Sequence, residues 1–228
     1  MKTVAVVTAT TGRHSLYQTM RSVHNQTHPC QHYVVFDGVV ARKHFQIPDS
    51  VHTIELPVAT GKNGIMNGGI CAAAAFLVTE DYICFLDDDN WFDPDHIQTM
   101  MDVIGDKAYC YSLRKLYDGD TFFANDDGES LGHHGQMVDV NCFLFKREVC
   151  CGIAPLWYHT NGKLMVGDRM VWQALKDNNT PWAATGRYTV NYRMGANFAT
   201  KGFFFLHNAL ARSKYPDQDY PWSISSRT

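Results

Sequence analysis

The sequence predicts an α/β fold: an open, mostly parallel sheet flanked by helices, followed by a smaller half of mixed character. Three observations lead there. Over residues 1–105, strand-like and helix-like stretches succeed one another in the order β-α-β-β-α-β-α. The opening run, Thr3 to Thr8, is almost wholly β-branched, as expected of a strand buried on both faces. Thr8, Asp37 and Asp87 all stand at predicted carboxyl ends of strands, where open α/β sheets gather their ligands.

The elements follow in order. After the first strand, Ala9, Thr10, Thr11 and Gly12 form a polar turn, and His14 to Asn25 sets Leu16, Met20 and Val23 at helical spacing with Arg13 at the entry. Tyr33 to Phe36 is the second strand and stops at Asp37-Gly38, a pair that also suits a plain turn. Val51 to Leu56 is the third, closed by Pro57. Ala59 to Gly69 (ATGKNGIMNGG) is loop, and its glycines are too irregularly spaced for a P-loop or a dinucleotide fingerprint. A helix then runs from Ile70 to Thr79, where four alanines at 72–75 permit close packing.

Ile83 to Leu86 forms the next strand and delivers Asp87, Asp88 and Asp89. Alternation along an extended segment would put Asp87 and Asp89 on one side. Hard divalent ions such as Mg²⁺ or Mn²⁺ prefer such oxygen ligands, and three adjacent carboxylates repel one another without a counter-cation. The triplet therefore predicts a metal or nucleotide role in the departure of a phosphate leaving group. The plainer reading, an acidic turn before a helix capped by Asp93 and opened by Pro94, is compatible because the cap lies beyond the triplet.

Past the helix ending at Ile104 the pattern changes. Ala108 to Tyr117 reads as a strand and Asp118 to Gly135 as a polar loop that fails the EF-hand test at Phe122 and Phe123. Met137 to Phe145 reads as another strand, Lys146 to Cys150 as a helical turn and Lys163 to Lys176 as a helix with Asp168 near its start. Trp182 to Arg193 is strand-like again, and Thr200 to Leu210 is rich in aromatics. With no repeat or linker, residues 1–228 read as one domain in two halves, 1–105 and 106–228.

The totals narrow the function. Of 228 residues, 45% are apolar and 19% charged, an ordinary globular composition. A net charge of -3 offers no field for non-specific nucleic-acid binding, although a local basic groove stays open. Seven cysteines without a CxxC pair read as buried, reduced thiols of a cytoplasmic protein. The longest near-apolar run, Ile70 to Val78, is too short to span a bilayer, and the start does not read as a signal peptide.

Taken in sequence order, VAVVTATTGR, VVFDG, NGGICAAAAF, FLDDDNWFDPDHI, VGDR and YRMGANFATKG resemble the inverting family 2 glycosyltransferases of the GT-A fold, over about Val4 to Asn208. The resemblance implies a donor half that holds a nucleoside diphosphate sugar and a second half that holds the acceptor. It implies Thr8, Thr10 and Arg13 around the nucleoside, Asp37 accepting a bond from the base, and Asn67, Asp87 and Asp88 near the nucleotide-sugar. It further implies metal ligation by Asp87 and Asp89 and general-base catalysis by Asp168. Two positions depart from the family: Met66 stands where it often has Arg, and Gly167 where it commonly has Glu.

The chemistry expected is metal-assisted loss of the diphosphate, with Mn²⁺ or Mg²⁺ as cofactor, and inversion at the sugar as Asp168 takes the acceptor proton. Its plainer alternative is an acid favoured in a helix's first turn. His207 is a candidate third metal ligand, although a lone His in an aromatic run is more often a core histidine. Trp91 and Trp157 are candidates for stacking on the acceptor. The donor expected is UDP-linked, and the acceptor a glycan, a protein or another hydroxyl-bearing molecule, nucleic acid included. A sugar nucleotidyltransferase and a non-catalytic carbohydrate- or nucleotide-sugar-binding protein remain as alternatives.

Overall fold

A computed structural model of the chain describes residues 2–38, 45–61, 66–158 and 167–195. Strand β1 (Val4–Thr10) lies between β2 (Gln31–Phe36) and β4 (Tyr82–Phe85), and β3 (Val51–Glu55) continues the sheet beyond β2, all parallel. The order β3-β2-β1-β4 reverses direction at β1, and a crevice opens at such a switch point beyond the strand ends. Helix α1 (Leu16–His24) buries Leu16, Thr19, Met20 and Val23, one face of a regular helix. The alanines of α2 (Gly68–Leu77) serve contact with another helix, α4 (Arg147–Tyr158), rather than with the sheet alone.

The second half extends the same sheet with mixed pairing. Strand β8 (Phe143–Lys146) runs antiparallel to β4, β6 (Tyr109–Asp118) antiparallel to β8, and β9 (Trp182–Met194) parallel to β6. Two short strands escape the sequence patterns. β5 (Trp91–Phe92) is only two residues long, and β7 (Thr121–Asn125), inside the predicted polar loop, forms a hairpin with β6. Because β5 pairs with β9 at the far edge yet contacts α1, the sheet curls until its last strands return beside its first helix. Arg193 of β9 closes that curl by donating to Gln18 of α1 at 2.7 Å.

Several expectations need correction. Of the predicted strand over 137–145 only the last part is extended; Val140–Cys142 is a single 3-10 turn, because Asp139 accepts from the Asn141 N–H. The short turn predicted over 146–150 is the start of the twelve-residue α4. Asp93 does not cap α3 (His96–Ile104): its carboxylate takes Lys115 Nζ at 2.6 Å and Asn191 Nδ2 at 2.8 Å, tying the post-β5 turn to β6 and β9. Five of the seven free cysteines are buried, but Cys30 is partly exposed and Cys151 exposed. Among the described residues no helix is long and apolar enough to cross a membrane.

Candidate active site

The ends of β1, β2 and β4 arrive together. Asp37 N–H donates to the Thr10 carbonyl and Leu86 N–H to that of Val7, so the residues just past each strand open on one cleft of about 960 Å³. Its walls carry Thr10, Arg13, Asp37, Asn67 and the acidic triplet from the first half, and Asp139, Trp157, Asp168, Tyr192 and Arg193 from the second.

On the β2 side, Asp37 organises a loop. Its Oδ1 accepts from the Thr60 N–H (2.6 Å) and hydroxyl (2.9 Å), and its Oδ2 from the Gly61 N–H (3.0 Å). These bonds draw residues 60–61 across the mouth of β2. Thr8 stays out of the cleft: β1 continues to Thr10, leaving Thr8 fully buried with its hydroxyl 2.9 Å from His32 Nε2.

The triplet is a turn rather than an extended edge, since Asn90 N–H donates to the Asp87 carbonyl at 3.1 Å. Alternation therefore does not govern it, and each carboxylate has its own surroundings. Asp87 accepts Asn67 Nδ2 at 2.7 Å on one oxygen and Asn141 Nδ2 at 2.8 Å on the other. Asp88 accepts the Thr10 hydroxyl at 2.6 Å and Arg13 Nη1 at 3.3 Å, and Asp89 accepts the same Nη1 at 2.7 Å. Burial first, then the charge of Asp139, pushes the Asp87 carboxyl up to about 7. Burial also raises Asp89, against the pull of Arg13.

On the opposite wall Asp168 lies in the first turn of α5 (Gly167–Asp177). Burial, and after it the charge of Asp139, pushes its carboxyl up to about 7, while the Arg169 N–H it accepts at 2.7 Å pulls the other way. Asp139 thus lies electrostatically between the two raised acids. It is itself held by Arg114, a guanidinium only 2% exposed that also pairs with Asp126 and Glu129.

The structure brings together Thr10, Arg13, Asp37, Asn67, Asp87, Asp88, Asp89, Trp157 and Asp168, and it leaves out Thr8 and Trp91. Trp91 instead packs edge-on against Tyr117 beneath the Arg193 guanidinium. His207 lies outside the described residues. Asp139, Asn141 and Arg114 were not singled out from the sequence. The one available signal was the pair of polar residues, Asp139 and Asn141, inside the otherwise apolar run MVDVNCFLF.

The donor set suits a hard divalent cation in part. Asp87 and Asp89 face the cleft with carboxyls raised by burial, a state a cation would relieve. Arg13 already answers the repulsion at Asp88 and Asp89. Among the described residues no group of three or more His, Cys, Asp or Glu is arranged to hold a metal alone. Two protein carboxylates would leave most of such an ion's shell to other oxygen ligands.

A family profile described as Glycosyl transferase family 2 matches residues 3–153, from β1 into α4 and short of Asp168. Among solved structures, residues 1–349 of S. aureus TarS in complex with UDP-GlcNAc superpose with a TM-score of 0.61 at 11% identity, covering 98% of this chain and 69% of that one. The UDP complex of the same fragment gives 0.61 at 11% identity, covering 98% and 68%. S. aureus TarS itself gives 0.59 at 11%, covering 98% and 41%. At such identity the likeness is one of fold. No curated protein sequence matches the chain.

Proposed function

The chain belongs to glycosyl transferase family 2 and has the GT-A fold, and on that premise we propose that it moves a sugar from a UDP-linked donor to an acceptor hydroxyl with inversion. The observation that carries this reading is the meeting, in one cleft, of the acidic turn after β4 with Asp168 from the far half. Solved neighbours that hold UDP and UDP-GlcNAc support the choice of nucleotide.

In this reading the nucleoside lies against Thr10 and the loop that Asp37 gathers, and the base bonds to Asp37. A divalent cation held by Asp87 and Asp89 would supply Lewis-acid neutralisation of the departing diphosphate. Arg13, 58% exposed at its side chain and bonded to Asp88 and Asp89 through one nitrogen, lines the same cleft and is placed to meet the phosphates. Asn67 and Asn141 fix both oxygens of Asp87, which keeps that carboxylate aimed while the charge in front of it changes.

Asp168 faces the acceptor. A carboxyl raised to about 7 is matched to taking a proton from a hydroxyl near neutral pH, because base strength rises with pKa while the ionised fraction remains useful. Trp157, expected to stack on the acceptor, is instead 4% exposed and packed against Phe85, so it backs the cleft wall, and the acceptor, a glycan, a protein or another hydroxyl-bearing molecule, is held by other groups.

The test is to incubate the protein with UDP-sugars and candidate acceptors, with and without Mn²⁺, and to follow free UDP. Release of UDP is expected. Asp168→Asn should lower kcat by about 10²- to 10⁴-fold while UDP still shifts the melting temperature, and Asp89→Ala should abolish the response to Mn²⁺. Release of pyrophosphate instead would show nucleotidyl transfer, and melting shifts without turnover would show a binding protein.

A further inference from the structure

Behind the cleft, Asp87 and Asp168 are joined by a chain of polar and charged groups in which Arg114, Glu129 and Arg169 have no part in the steps above. From the donor side, Asn141 Nδ2 bonds both Asp87 (2.8 Å) and Asp139 (2.7 Å). Asp139 takes Arg114 Nη1, and Arg114 Nη2 donates to Glu129 Oε2 at 2.9 Å. The other Glu129 oxygen, Oε1, accepts Arg169 Nη2 at 2.6 Å, and the Arg169 backbone N–H donates to Asp168. An unbroken series of polar contacts therefore runs from the acidic turn to the first turn of α5, through a guanidinium buried in the middle of β6.

Stability alone is a poor reason for this cluster. Buried ion pairs regain little more than their desolvation cost, and apolar side chains of similar volume would hold β6 as well. What a forked guanidinium and a bridging carboxylate provide is fixed geometry. Glu129 uses one oxygen for each arginine, so Arg169, and Asp168 beside it, is tied to β6 in addition to α5's own contact with α4.

We propose that Glu129 and Arg169 are positioning residues, a strut that locks the start of α5 to the Arg114 hub and so holds Asp168 against the donor side of the cleft. The proposal rests on the glycosyl-transfer reading for its effect on rate, but not for its structural content. Neither residue touches the reacting atoms; each acts through where it puts Asp168.

The experiment is a double-mutant cycle of Glu129→Gln and Arg169→Gln, read by steady-state kinetics and by amide hydrogen exchange over residues 168–171. Arg169 is 38% exposed at its side chain, so its variant keeps the experiment decisive if Glu129→Gln folds poorly. Each single variant is expected to lower kcat about tenfold or more, with donor KM within about twofold, because a misplacement near 1 Å is costly to rate. The double variant should be no worse than the poorer single, and exchange at 168–171 should accelerate in all three. Additive losses, a raised KM with kcat intact, or wild-type turnover in Arg169→Gln would overturn the strut. Should the wild type release no UDP, the glycosyl-transfer reading falls on its own; exchange at 168–171 then decides, and unchanged rates in both variants would discard the proposal.

Discussion

Asp168 is costly to the protein that carries it. Its carboxyl ionises in the folded chain only near pH 7, well above the ordinary carboxylate range, because burial and Asp139 oppose the charge. The folded state therefore holds a proton between about pH 4 and 7 that the unfolded chain has given up, and stability falls as pH rises through that window. Removing the charge should reverse the loss. Asp168→Asn is expected to melt above the wild type at pH 8, by an amount on the order of 1–3 kcal/mol, and to converge with it near pH 4. Wild-type turnover should climb through pH 7 over the same range, so thermal melts and kcat measured across pH 4–9 check both halves at once. A variant less stable than wild type at pH 8 would show that Asp168 is not strained by its site. At this scale the acids facing the cleft were legible as types, since Asp37, the triplet and Asp168 are polar residues at element ends. Asp139 was not, because a strand-like run hides which face an acid takes, and only the distant Arg114 makes its burial tolerable.

The start of α5 shows how one element sets another. A Cβ on Gly167 would stand 2.9 Å from the Trp157 carbonyl oxygen and 3.2 Å from its Cα, so the end of α4 leaves no room for a side chain there. That contact gives a physical reason for glycine at this position. Gly167→Ala must push α5 away from backbone that cannot yield, and it carries Asp168 along. Its kcat is expected to fall by about 10- to 100-fold with UDP binding preserved, which single-turnover kinetics and a UDP melting shift can separate. Full activity would mean that α5 adjusts independently of α4. The elements of the first half were legible to within a few residues, because β-branched runs and a clean helical stripe in α1 leave little choice. β5 was not, since two residues carry no periodicity, and β7 was masked by the polar sequence of its hairpin. Helix α4 runs eight residues beyond the turn expected over 146–150, with Gly152 and Pro155 inside it.

At the scale of the molecule, the cleft depends on a seam. β4 from the first half pairs with β8 from the second, matching Ile83 with Phe145 and Cys84 with Leu144, all four fully buried. One hydrophobic cluster runs from Val4 and Ile83 through Tyr109 and Phe145 to Trp172 and Val190. Separating the halves would expose the β4 edge and that cluster together, which an isolated half has no means to cover. The change of pattern after residue 105 was readable in the sequence; its location in mid-sheet was not, because antiparallel pairing across β4 and β8 is a long-range contact with no local signature. The two halves are therefore expected to unfold as one unit. Far-UV circular dichroism follows the whole chain, whereas every tryptophan lies at residue 91 or beyond, so fluorescence follows chiefly the second half. The two melting curves should coincide. UDP with Mn²⁺ at about 100 times its dissociation constant should raise both by the same amount, since about 2.7 kcal/mol of linkage corresponds to about 5–10 °C at this size. A nucleotide that shifts dichroism while fluorescence melts unchanged would show two domains that merely touch, and the placing of Asp168 opposite the acidic turn would then need another cause than the shared sheet.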